Sequence, residues 1–157
     1  MISDTATTLA SLRKLLLVIL LIGMTGTVTE LYLLNHIEDL WQLIPLALIG
    51  AGYVALGWHA VRRTRGSIAA VQLVMLAYIA SGALGMFLHY QANVEFQLEV
   101  EPELSGSNLL WQALQAKTPP ALAPGVMAQL GLIGFAYAYR HPALAAGGRI
   151  LEENRDE

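Results

Sequence analysis

The chain has 157 residues, 55% hydrophobic and only 13% charged, with a formal net charge of -3, no cysteine and a mean hydropathy of +0.52. Soluble domains carry roughly 25% charged residues, so this composition points away from an ordinary soluble globule and toward a one-domain membrane protein. The missing cysteines exclude disulfides, zinc–thiolate sites and iron–sulfur ligation, and the absence of a basic, aromatic-interleaved patch excludes a nucleic-acid partner.

A short polar lead ends at Arg13 and Lys14, and an apolar run follows to Leu34. The stretch 12–34 is long enough, at a rise of ~1.5 Å per residue, to cross a hydrocarbon core of ~30 Å. It is also too long for a typical signal-peptide core and has no small-residue cleavage site behind it. The sequence therefore predicts a retained first span. Asn35 to Asp39 forms a tight loop, and Asp39 with Gln42 has capping-box spacing. The second span is predicted over 41–61, with Pro45 in its opening turns, where proline is tolerated.

Arg62, Arg63 and Arg65 mark a basic turn, Ser67 is the expected N-cap, and the third span is predicted over 67–90. Beyond Tyr90, Val94, Phe96, Leu98 and Val100 alternate with polar residues, which is a strand signal. No breaker occurs before Pro102, and a lone strand has nothing to pair with in a helical chain. The expectation is a helix extended into water, with Glu95 and Glu99 one turn apart on one face. A short interfacial helix follows near 108–117, with Leu110, Trp111 and Leu114 toward lipid. Pro119, Pro120 and Pro124 lead into a last span over 122–139, and 143–157 is a polar tail.

The predicted fold is thus all-α, an integral membrane four-helix bundle over residues 1–142 with an extramembrane segment at 91–121. Of nine Lys and Arg residues, eight fall on one side of this layout, leaving seven carboxylates against Lys117 on the other. The positive-inside rule puts both termini in the cytoplasm of a bacterial-type inner (plasma) membrane. Trp41, Trp111 and Trp58 fall at the two interfaces. Small residues at helix-packing spacing, Ala47, Ala51 and Ala55 on the second span, Gly82 and Gly85 on the third, Gly131 and Gly134 on the fourth, let backbones approach closely.

The residues able to carry chemistry gather at the acidic side. Glu30 lies about one turn inside the end of the first span, where a carboxylate costs about 2–3 kcal/mol, so it needs a proton, a partner or a cation. Glu30, His36, His89 and Glu95 form the candidate metal set, with Glu38, Asn93, Glu99 and Gln129 as secondary candidates. Imidazole with carboxylate and no sulfur suits zinc, iron, manganese or copper, although no diagnostic ligand spacing is present. The alternative uses the histidines as bis-imidazole haem ligands, His36 with His89 and His59 with His141.

No nucleophile–base pair, phosphate-cradling loop or hydrolase motif is present, so a self-contained enzyme is not expected. A transporter needs a polar path, and between Gly50 and Gly57 the second span offers only Tyr53. The expected function is association, with itself or as an accessory subunit of a larger membrane complex, through the acidic face.

Overall fold

The computed structural model describes residues 2–145, with side chains from Asp4 onward. Among the described residues five helices are bounded, α1 Ile2–Leu33, α2 Leu40–Arg62, α3 Arg65–Val100, α4 Gly106–Gln115 and α5 Gly125–Ala138, and residues 142–145 are helical as well. The described residues contain no strand, only one isolated bridge between Lys117 and Pro120. Three helices, α1, α2 and α3, are long and apolar enough to cross a membrane. The predicted polar tail lies outside the described residues from 146 onward.

The boundaries differ from the sequence reading for local reasons. α1 begins ten residues before the predicted span. Asp4 sits in its first turn, where a carboxylate favours the positive end of the helix dipole, and the Thr8 hydroxyl donates to the Asp4 carbonyl at 2.9 Å. α2 starts as expected: Asp39 accepts from the Gln42 amide at 2.9 Å, while the Gln42 side chain accepts from the Glu38 amide rather than from Asp39 itself. The cap of α3 is Thr64, not Ser67. Ser67 stands three residues inside and closes a reciprocal capping box with Thr64.

α3 continues to Val100 with no strand at 94–100, so the helical alternative holds. Its 36 residues rise about 54 Å, well beyond a core of ~30 Å. The last predicted span is shorter than expected. Residues 121–124 form turns, shaped by the neighbouring prolines, and α5 has only 14 helical residues. Those rise roughly 21 Å.

α3 is the centre of the packing, with α2 on one side and α5 on the other; α1 lies against α5 and barely meets α2. The buried core draws Leu20 and Met24 from α1, Ile49 and Leu56 from α2, Ile68, Val71, Met75 and Tyr78 from α3, and Met127 and Leu130 from α5. Glycine sets the α3–α5 seam. A Cβ on Gly82 would lie 2.5 Å from the Ala128 nitrogen, and one on Gly131 only 2.6 Å from the Met75 carbonyl oxygen. On α2 the buried line runs through Ile49, Gly52, Leu56 and His59, whereas Ala47 is exposed. Of the expected Ala47–Ala51–Ala55 line, Ala55 is buried in the core, Ala51 is half-buried and only Ala47 faces outward.

Candidate functional site

Folding brings the four histidines together in two pairs, one at each end of the helices. His36, in the loop after α1, faces His89 of α3 with ring centroids 6.5 Å apart. His59 of α2 meets His141, just past α5, edge to face at 4.8 Å.

At the acidic end the pair is held by the segment between α4 and α5. The His89 Nδ1–H donates to the Pro120 carbonyl at 3.0 Å, which leaves Nε2 as the free nitrogen of a neutral ring. One turn further on, Asn93 is buried, and its amide donates to the Ala113 carbonyl at 3.1 Å and the Pro119 carbonyl at 3.0 Å. Asn93 is therefore a staple that fastens the 113–120 segment to α3. A buried amide that satisfies two carbonyls is worth more than its surface counterpart, because removing it strands both.

The carboxylates do not join the histidines. Among the described residues no three His, Asp or Glu side chains gather closely enough to hold a metal ion. The set Glu30, His36, His89 and Glu95 is therefore not assembled in this structure. Glu30 lies off the buried line of α1, which runs through Leu20, Met24 and Thr27, and is exposed near the helix end. Glu95 and Glu99 are exposed on the far turns of α3. Glu38 accepts from the Asn35 amide at 3.2 Å in the loop, and Gln129 is exposed on α5.

The arginine-rich end is more tightly built. His59 is buried and its Nδ1 lies 2.9 Å from the Ser67 hydroxyl. That hydroxyl gives its one proton to the Thr64 carbonyl at 2.9 Å, so it accepts from His59 Nδ1–H. His141 Nδ1 accepts from the Ala143 amide at 3.2 Å, so the proton of the neutral ring is on Nε2. Burial first, then the charges of His59 and Arg13, push the His141 imidazole below its ordinary value. Tyr137 lies 5.7 Å from His141, and Arg13 reaches across from α1 to donate to the Arg140 carbonyl at 3.1 Å.

These distances bear on the haem alternative. Two imidazoles on one iron, each nitrogen ~2 Å from the metal, hold their centroids roughly 6 Å apart with a porphyrin plane between them. At 4.8 Å, His59 and His141 are in direct ring contact, with no room for that plane. The pairing itself follows the depth ordering of the four histidines, but the partners Ser67, Tyr137 and Arg13 carry no sequence signal that ties them to it.

Three further polar features lie within the helices. The Thr25 and Tyr53 hydroxyls join α1 to α2 at 2.7 Å. Tyr78 is fully buried against Gly52, and its hydroxyl is the one fully buried side-chain polar atom without a partner among the described residues. Gln72 donates to the Ala138 carbonyl at 3.2 Å, the cross-helix bond expected of an intramembrane amide. No family model, curated protein or solved structure matches the chain.

Proposed function

We propose that this is a four-span inner-membrane protein that works by association, using the end of α3 and the helix α4 as its docking surface. In this reading the Arg62–Arg65 turn and both termini are cytoplasmic, and α5 with the turns before it makes the fourth crossing. The eight-to-one division of Lys and Arg supports that orientation.

The observation that carries the reading is the projection of α3. Ten residues beyond Tyr90 add roughly 15 Å of helix past the span. Phe96 and Val100 stand one turn apart on this projection, 59% and 61% exposed, flanked by Glu95 and Glu99. Within the bilayer such residues face lipid; outside it no lipid covers them. An apolar patch rimmed by charge marks a protein interface. The partner is the extracytoplasmic part of another membrane subunit or a second copy, with cationic groups opposite the carboxylates. Photo-crosslinking from positions 96 and 100 in native membranes tests this. A discrete protein adduct is expected, and adducts with lipid alone would refute it.

The His36–His89 pair favours a second reading, a divalent cation held between two imidazoles. Its basis is the Pro120 carbonyl, which fixes the His89 tautomer as outer-shell partners of metal-bound histidines do. A tetrahedral ion would draw the centroids to roughly 5 Å, so the loop carrying His36 must close. Zinc titration of the purified protein against His89→Ala is the test, and equal uptake by both would refute it.

A further inference from the structure

Because α1 and α2 barely meet, a groove of about 300 Å³ opens between them. Leu17 and Leu21 of α1 form one wall, Leu56, Gly57 and Ala60 of α2 the other, and Tyr137 of α5 lines it too. Its size is at the small end of ligand cavities, which run ~300–1,000 Å³. Gly57 has nothing within 4 Å of where a Cβ would stand, so no part of this chain fills the space beside it.

The two ends of the groove differ. Toward the acidic end it is closed by the bond between Thr25 and Tyr53. Toward the other end stand Arg13, four residues before Leu17 on α1, and Arg63, three residues after Ala60 at the end of α2. Among the described residues neither guanidinium is paired with a carboxylate, and Arg13 is held in place by the Arg140 carbonyl at 3.1 Å. From Arg13 to Thr25 is twelve residues of helix, or about 18 Å. Half of a ~30 Å hydrocarbon core is about 15 Å. The groove is therefore one leaflet deep. A membrane-crossing helix would need the full depth and would have to break the Thr25–Tyr53 bond.

We propose that this groove holds one acyl chain of an anionic phospholipid from the arginine-side leaflet, with the lipid phosphate at Arg13 and Arg63. Charge complementarity selects the headgroup: two unpaired guanidiniums at the mouth of an apolar slot match a phosphate on a hydrocarbon chain. The depth selects a single-leaflet lipid, and the Leu and Gly lining accepts the chain without a polar requirement. The proposal assumes the membrane crossing but not the docking surface on α3, which is at the opposite end.

Native mass spectrometry of the full chain in mild detergent, with phosphatidylglycerol or phosphatidylcholine added, reads lipid retention directly. The expected result is preferential retention of phosphatidylglycerol, reduced about fivefold by Arg13→Gln and again by Arg63→Gln. Gly57→Leu fills open space, so the helical content should be unchanged while retention is lost. Millimolar inorganic phosphate should not displace the lipid. Equal retention of both lipids, displacement by phosphate, or retention unaffected by Gly57→Leu would overturn the proposal. A change in oligomeric mass with Gly57→Leu at constant lipid content would assign the groove to a second copy and overturn it equally.

Discussion

The close approach of α3 and α5 gives a quantitative prediction at Gly131. An added Cβ would stand 2.6 Å from the Met75 carbonyl oxygen, 2.7 Å from Ile79 Cγ1 and 2.9 Å from the Ile79 nitrogen. Two of these three neighbours are backbone, which no rotamer change can move. Non-bonded carbon contacts are best near ~3.5–4.0 Å, so the helices must separate by about 1 Å along the seam. Overpacking of this kind costs typically 1–3 kcal/mol, and backbone contact puts it near the upper end, about 3 kcal/mol. Alanine is also the better helix former, by about 1 kcal/mol. Gly131→Ala should therefore destabilise by a net ~2 kcal/mol. The same substitution at Gly50, where nothing lies within 4 Å, should be neutral or slightly stabilising. Reversible unfolding in mixed micelles, with both variants side by side, measures the difference. If Gly131→Ala matches Gly50→Ala, the α3–α5 seam is not as close as described, and the packing argument fails.

Three other outcomes follow from particular contacts. Asn93→Ala strands the Ala113 and Pro119 carbonyls, a loss of about 1–3 kcal/mol; hydrogen exchange should rise across 104–120 and stay unchanged in α2. His141 is held below its ordinary value by burial and by the charges of His59 and Arg13, so its unfolded form binds the proton more readily. Stability from this group is complete above the unfolded value near 6.5 and falls as pH drops below it. Thermal melts from pH 7.5 to 5 should show that decline, and His141→Gln should flatten it. Thr64→Ala removes the cap of α3 and should cost about 1 kcal/mol, with Ser67→Ala costing more because it also unpairs His59.

Much of the helical layout was legible because lipid imposes a simple rule: long apolar runs bounded by charge become helices. That is why α1, α2 and α3 stand where the sequence puts them, and why the 94–100 alternation yields to the missing breaker. The errors are at ends, where side-chain bonds decide. Thr64 caps α3 because its hydroxyl accepts from the Ser67 amide while the Ser67 hydroxyl accepts from the Thr64 amide, and three prolines delay α5 until Gly125. The site was less legible. Depth along the helices sorted the histidines into the pairs that form, but rotation about each helix axis decides which neighbours they meet. Glu30 is close to His36 in sequence, but it is exposed and joins no cluster of three ligating side chains among the described residues. Asn93 reads as a ligand in a polar stretch, and its role as a staple depends on a return segment twenty residues later.

Gly82 divides α3 almost evenly, with seventeen helical residues behind it and eighteen ahead. It is also where the helix bears most closely on Ala128. The contact does not end there: Gly131 meets Met75 and Ile79 on one side of it, and Gly85 meets Pro124 on the other. From Met75 to Gly85 the helix is clamped to α5 over ten residues, about 15 Å. A pull at Phe96 therefore meets that clamp before it reaches Ser67 and the hydrogen bond to His59.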